Sequence, residues 1–222
     1  MDWWLIKLRL IASIYPQMLD ALGVTVTIAA LSLPLAIALG AVIAVLRIFG
    51  PKIVGVFLGF WIEFLRNTPL LLQMFLLYFS LPMLGWRLDG MYCGILAIAL
   101  QHSVFLAETF RGAIETISRR QWEASRALGI PESKALWHLI LPQAVLKVAA
   151  PIGNQLLILV KDTSVVSGIA VLDLTLTGKI ILERNAASFE VFLVVASFYL
   201  ALTVLLGMLV RRIETRTRAM VG

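Results

Sequence analysis

The chain contains little charge and few of the residues that hold metals or form disulfides. Of its 222 residues only 14% are charged and 60% are apolar, whereas an ordinary soluble domain carries about 25% charge. Its single cysteine excludes an internal disulfide and a multi-cysteine metal site. The two histidines, His102 and His138, are too far apart for a His-x-x-x-His zinc pair. The mean hydropathy of +0.94 favours a membrane protein.

Motifs for nucleotide binding and catalysis are also missing from the sequence. There is no Gly-x-x-x-x-Gly-Lys-Ser/Thr segment to hold ATP phosphates, and no Ser/His/Asp or paired-Asp constellation stands at catalytic spacing. The net charge of +6 does not indicate nucleic-acid binding, because the basic residues stand between apolar runs instead of clustering. We therefore expect a protein that is not an enzyme, binds no cofactor itself and takes its energy from another polypeptide or an ion gradient.

Long apolar runs predict an all-α integral membrane protein with five transmembrane helices in a single domain, residues 1–222. A crossing needs about 20 residues. The predicted crossings are 21–46, 51–82 with a kink at 67–69, 90–107 with a continuation towards Arg120, 142–160 and 191–210. The segment 161–190 is interpreted as a loop with a short apolar island.

The polar segment between the third and fourth crossings, residues 119–141, predicts two short helices joined by a turn. Gly129 suits the left-handed end of the first helix, and Pro131 suits the start of the second. Twelve Lys and Arg residues fall on the same side of the membrane as this segment and six on the other. Because basic loop residues resist translocation, we expect the segment and the C-terminus in the cytoplasm and the N-terminus outside.

This polar segment resembles the EAA loop of importer permeases of the ABC (ATP-binding cassette) superfamily. Glu123, Ala124, Gly129, Leu141 and Pro142 match the loop's pattern at the right spacing. Further segments are similar to the polar amino acid branch of that family, which serves histidine, glutamate, glutamine, arginine and opines. These segments are FLRNTPLLLQMFLLYFSLP, FLAETFRGAI and VKDTSVVSGIAVLDL, within a likeness that runs from about Leu19 to Arg212.

The resemblance implies a type I ABC importer permease of the bacterial cytoplasmic (inner) membrane, with its coupling loop at about 118–142. Glu123 and Ala124 would dock on an ATPase subunit, and Gly129 would form the sharp turn. The implied partners are an ABC ATPase dimer carrying ATP and Mg²⁺, a second permease subunit that is identical or homologous, and a periplasmic or lipid-anchored binding protein. The cargo would be a polar amino acid.

Ionisable residues inside the apolar runs are candidates for the substrate site, because a charge in the bilayer is costly without a partner or ligand. A zwitterionic amino acid needs an acceptor for its ammonium group, for which Glu108 and Asp162 are candidates, and donors for its carboxylate. The candidate donors are Arg66, Gln101 and Thr163. His102 is interpreted as a packed or gate-lining residue of the same site.

Two structural alternatives are an ion pair between Arg66 and Glu108, and capping at the membrane interface by Lys161 and Asp162. The functional alternative is a secondary amino acid transporter driven by protons or sodium, with Glu108, His102 and Asp162 as the ion relay. The small size of the chain, the absence of a visible inverted repeat and the coupling loop argue against it.

Overall fold

A computed structural model of the chain describes residues 3–117, 119–185 and 188–221. Ser118, the first residue of the predicted coupling loop, lies outside the described residues. Within these ranges the backbone forms nine α-helices and no strand. They are α1 (Trp3–Phe49), α2 (Lys52–Asn67), α3 (Leu70–Phe75), α4 (Gly90–Glu115), α5 (Arg119–Ala127), α6 (Glu132–Ala135), α7 (Leu141–Asp162), α8 (Leu174–Asn185) and α9 (Ser188–Val221).

Five membrane spans are confirmed when each bent helix pair is counted as one span. In the described residues three helices, within α1, α4 and α9, are long and apolar enough to cross alone. The other two spans are Lys52–Asn67 with Leu70–Leu84, bent by 106°, and Glu132–Ala144 with Leu146–Ile169, bent by 54° within α7. The kink predicted at 67–69 is correct: Thr68 has φ −104° and ψ 139°, and helix α3 starts after Pro69. Proline disfavours helical backbone in the residue before it, and this ends α2.

The first helix is longer than its apolar run predicts. It begins at Trp3, not near residue 21, and its 47 residues correspond to about 70 Å, more than twice the hydrocarbon thickness of a bilayer. Ile14, Met18 and Ala21 lie on one helical face and pack against buried residues of α8 and α9. The long apolar run starts only after Asp20. The packing on α8 and α9 stabilises the helix on the N-terminal side of that residue as well.

Helices α1 and α4 form the centre of the bundle because small residues let their backbones approach. A Cβ added to Gly40 would lie 2.8 Å from the carbonyl oxygen of Ser103. Ser32 donates a hydrogen bond across the same interface to the carbonyl of Ile95, at 3.3 Å. The buried Ala36 and Ala99 continue this packing. Close packing places α4 where it contacts α2, α3 and α7 as well.

The segment 161–190, predicted as a loop, is largely helical in its described residues. A 3₁₀ segment, Thr163–Ile169, continues directly from α7, and α8 follows. Asp173 caps α8 by accepting a hydrogen bond from the Leu176 N–H at 2.8 Å. Burial raises the pKa of the Asp173 carboxyl above its ordinary value, while the hydrogen bonds that it accepts oppose the rise. Helix α8 was not predicted because the apolar run in this segment is short, and the helix is stabilised in part by the Asp173 cap.

Candidate functional site

The predicted substrate residues come from the ends of α2 and α7 and from the second half of α4. Gln101, His102 and Glu108 lie on α4, Asp162 is the last residue of α7 with Thr163 after it, and Arg66 lies one residue before the end of α2. The structure brings His102 and Asp162 into contact. It does not bring Arg66 and Glu108 together as an ion pair, since each has other charged partners.

A buried histidine joins α4 to α7 in what we term the histidine cluster, formed by His102, Gln155 and Asp162. His102 is only 1% exposed. Its Nδ1 lies 2.6 Å from Gln155 Nε2 and its Nε2 lies 3.1 Å from Asp162 Oδ2. Since an amide nitrogen only donates, a neutral ring carries its proton on Nε2 and donates it to Asp162. The imidazole therefore orients the carboxylate.

The Asp162 carboxylate is oriented but not enclosed. Its side chain is 37% exposed, whereas the ring that it accepts from is buried. One carboxylate oxygen is within hydrogen-bond distance of His102, and a carboxylate has about four acceptor positions in all. This arrangement can accept further hydrogen bonds from a cation. Interface capping by Lys161 and Asp162 is thus not the arrangement found, because Asp162 contacts the bundle interior.

Gln101 faces a different neighbour from His102, although the two are adjacent in sequence. Its Oε1 accepts a hydrogen bond from Gln73 Nε2 at 2.5 Å, which links α4 to α3 just after the bend. Thr163 is fully buried, and its hydroxyl donates to the carbonyl of Val160 at 2.7 Å. Its side chain is thus engaged within its own helical turn.

Glu108 belongs to a charge cluster at the end of α4, formed by Arg47, Glu108, Arg111 and Glu115. Its Oε1 accepts from Arg47 of α1, and its Oε2 accepts from Arg111 Nη2 at 2.8 Å. Arg111 in turn contacts Glu115 at 2.7 Å. Both carboxylate oxygens are thus engaged by guanidinium groups. A substrate ammonium would have to displace one of them, so a substrate role for Glu108 stays a prediction.

Arg66 lies above an aromatic ring at the bend between α2 and α3. Its guanidinium carbon is 5.4 Å from the centre of the Phe105 ring, and its side chain is 41% exposed. Glu63, 3.9 Å away, is its charged partner within α2. The structural alternative, an ion pair between Arg66 and Glu108, is therefore not the arrangement found. The exposed guanidinium retains donors for a carboxylate, and this role stays a prediction.

The predicted coupling loop is a helix-turn-helix whose turn has the expected backbone. Gly129 has φ +72° and donates to the carbonyl of Arg126, and Ile130 donates to the carbonyl of Ser125. This pair of hydrogen bonds is the Schellman motif, which requires a left-handed residue and so favours glycine. Glu123 and Ala124 are exposed on α5. The turn predicted from Gly129 is confirmed.

An apolar contact surface holds the coupling loop against the spanning helices. Its buried residues are Ile114, Ile117, Leu136, Ile140 and Ala144, with Ile48 and Trp122 packed against them. Gln121 of α5 and Gln143 of α7 exchange two hydrogen bonds of 3.0 and 2.8 Å. A groove of about 410 Å³ beside this surface includes Glu123 in its lining. Force applied to α5 therefore reaches α1, α4 and α7 directly.

Sequence reasoning missed the side chains that position the candidates. Gln155 orients His102, Gln73 holds Gln101, and Arg47 engages Glu108. An amide inside an apolar run, as in LLLQMF, was an available signal, because polar groups in a span need partners. Arg47 directly follows the first predicted crossing, 21–46, and its position in the sequence gives no sign of a partner in α4. Among the described residues, no three His, Cys, Asp or Glu side chains are placed to hold a metal ion.

Comparison with known proteins identifies the family. Residues 36–219 match the family described as binding-protein-dependent transport system inner membrane component. The chain is 42% identical to the probable glutamine ABC transporter permease protein GlnM of Bacillus subtilis, over 80% of this chain and 82% of GlnM. It is 33% identical to the glutamine transport system permease protein GlnP of Escherichia coli, over 91% of this chain and 94% of GlnP.

A solved structure agrees with these relatives. The crystal structure of an amino acid ABC transporter with histidines superposes with a TM-score of 0.87 at 28% identity, covering 93% of this chain and 96% of that one. The structural match supports the fold of a type I ABC importer permease. The matches together favour the transmembrane subunit of an ATP-driven amino-acid importer over a transporter driven by an ion gradient. The chain belongs to the family of binding-protein-dependent transport system inner membrane components.

Proposed function

We propose that this chain pairs with a second permease subunit and imports an uncharged polar amino acid of the glutamine type, using ATP hydrolysed by two partner ATPase subunits. GlnM and GlnP, named above as glutamine permeases, support this substrate class. A binding protein would deliver the cargo from outside the bacterial cytoplasmic membrane. ATP and Mg²⁺ belong to the ATPase subunits in this proposal.

The observation that carries the proposal is the coupling loop. Glu123 and Ala124 are exposed on a short helix that packs on the ends of three spanning helices through an apolar contact surface. Closure of an ATPase dimer on ATP would move this helix, and the packed contact would transmit the movement to the spans. Such a contact biases a bundle with two arrangements because the ATPase binds the two differently.

The proposed orientation places the coupling loop and the C-terminus in the cytoplasm and the N-terminus outside. The excess of Lys and Arg on the loop's side of the membrane supports it. The histidine cluster then lies within the spans, where Asp162 would accept the substrate's ammonium group and Arg66 would donate to its carboxylate. Gln101, His102 and Thr163 complete the proposed site, and Glu108 stays the second candidate for the ammonium group.

The test is the charge reversal Glu123→Arg in the chain co-expressed with its partner ATPase. We expect loss of ATPase co-purification or of substrate-stimulated ATP hydrolysis by about tenfold or more, because the new charge would meet the docking groove with the wrong sign. The matched control is Glu183→Arg, at an exposed glutamate of α8, remote from the loop. The proposal fails if the Glu123 variant co-purifies and hydrolyses ATP as the wild type does, or if the wild-type chain pumps solute without an ATPase.

A further inference from the structure

Gln73 is a buried amide with one of its two polar atoms unpaired. It lies on α3, one helical turn after the bend, and is 7% exposed. Its Nε2 lies within hydrogen-bond distance of four oxygens: Leu65 O at 3.0 Å, Thr68 O at 3.2 Å, Thr68 Oγ1 at 3.1 Å and Gln101 Oε1 at 2.5 Å. Its Oε1 is buried and has no hydrogen-bond partner among the described residues.

The surroundings determine the orientation of this amide. Two of the four oxygens are backbone carbonyls, and the Thr68 hydroxyl donates to Phe64 O at 2.7 Å and so accepts from Gln73. Rotating the amide by half a turn would direct Oε1 at these carbonyls, which is repulsive. The nitrogen therefore faces the bend, and the oxygen faces away from it. A buried acceptor left in this way costs free energy unless a donor reaches it.

Gln73 is coupled to the candidate substrate site through α4. Its partner Gln101 precedes His102, so the Gln73 contact and the histidine cluster lie at one level of α4, about 100° apart around its axis. The 3₁₀ segment after Asp162 packs against both α3 and α4. Three elements thus converge where Gln73 and Asp162 are held, and Asp162 provides the anionic acceptor while Gln73 provides a neutral one.

The two acceptors suit different groups of an amino acid. A charged ammonium is better matched by the partly exposed carboxylate of Asp162, because burying a cation beside a neutral acceptor alone is costly. A neutral N–H donor is better matched by the buried Oε1 of Gln73. We propose that this oxygen accepts a hydrogen bond from the side-chain amide of the transported amino acid, and so selects glutamine over glutamate. The proposal rests on the proposed function.

The test compares binding of L-glutamine, L-glutamate and the γ-methyl ester of L-glutamate by isothermal titration of the purified transporter complex. The ester is neutral and similar in size to glutamine but lacks the N–H donor. We expect the wild type to bind glutamine about tenfold more tightly than the ester, since a site built for a donor rejects analogues without it. In Gln73→Met the two affinities should come within about twofold, through weaker glutamine binding.

The matched control is Gln17→Met, at an exposed glutamine of α1, which should keep the wild-type preference. Equal wild-type affinities for amide and ester, no binding of glutamine, or an unchanged preference in Gln73→Met overturns the assignment. If Gln73→Met does not fold, the wild-type ligand series decides by itself. ATP-dependent uptake by the wild-type complex is measured in parallel. Its absence refutes the proposed function, whereas uptake without amide preference refutes only the role of Gln73.

Discussion

Two intramembrane carboxylates that look alike in sequence have opposite surroundings in the structure. Glu108 accepts from two guanidinium groups, through one oxygen each. Within the part of the chain that the structure describes, the Asp162 side chain has one partner, a buried imidazole, and is 37% exposed. In the charge cluster both Glu108 oxygens are engaged by guanidinium groups, which ties α1 to α4, whereas in the histidine cluster Asp162 keeps acceptor capacity. The comparison indicates that an intramembrane charge, although costly, can join helices in one place and keep free acceptor positions in another.

The largest effect that separates the two clusters is expected from Asp162→Asn. Asparagine still accepts from the His102 N–H, but it loses the negative charge that would bind an ammonium group. A charge-assisted hydrogen bond corresponds to about 1.5–3 kcal/mol, so substrate affinity should fall about 10- to 100-fold with little change in thermal stability. Titration with the transported amino acid measures the first quantity, and thermal unfolding in detergent measures the second.

The control for this prediction is Asp20→Asn, at an exposed aspartate of α1. If Asp162→Asn keeps the wild-type substrate affinity, the histidine cluster is not part of the substrate site. The two carboxylates would then not differ in ligand binding.

Glu108→Gln should give the reverse pattern, a stability loss with unchanged substrate affinity. Arg47 would lose this anion and Arg111 would keep only Glu115, in a partly buried setting where Glu108 and Arg47 are 24% and 29% exposed. The loss expected in the free energy of unfolding is about 1–2 kcal/mol, which lies between the values typical of exposed and of buried ion pairs. Thermal unfolding measures this loss. The matched control is Glu63→Gln, which should lose less stability because the pair between Glu63 and Arg66 is more exposed. A stable variant with impaired substrate binding would assign Glu108 to the substrate site instead.

The smallest effect is expected at the turn of the coupling loop. Gly129→Ala forces a side chain into left-handed backbone at φ +72° and should cost about 1 kcal/mol. The matched control is Gly112→Ala inside α4, where an added Cβ meets nothing within 4 Å. Substrate affinity should be unchanged in both variants, while ATPase stimulation should fall only in the first. If the two variants behave alike, the turn does not contribute to coupling.

Much of the fold was predictable because membrane insertion depends on local apolar length. The five spans, the kink at 67–69 and the turn at Gly129 each follow from residues adjacent in the chain. The early start of α1 and the existence of α8 were not predictable in this way. Both depend on packing between segments far apart in sequence, as when Met18 is buried against α8 and α9.

The candidate site divides along the same line. The residue types Glu108, His102 and Asp162 were identifiable because a polar group in an apolar run is conspicuous. Their partners were not, since Arg47 lies 61 residues from Glu108 and Gln155 lies 53 residues from His102. The same holds for Gln73, which lies 28 residues from its partner Gln101. The alternative of an Arg66–Glu108 pair is not found for the same reason, because opposite charges alone do not determine which two side chains come into contact.

The sequence by itself determined that this chain crosses a membrane, carries a polar segment with a glycine turn at Gly129 and has ionisable groups within its spans, since hydropathy, turn backbone and charge are properties of neighbouring residues. Only the tertiary structure decided that Glu108 is paired with guanidinium groups, whereas Asp162 contacts a histidine and stays partly exposed. That distinction depends on which helix faces meet at a few ångströms, and close packing between distant segments decides it.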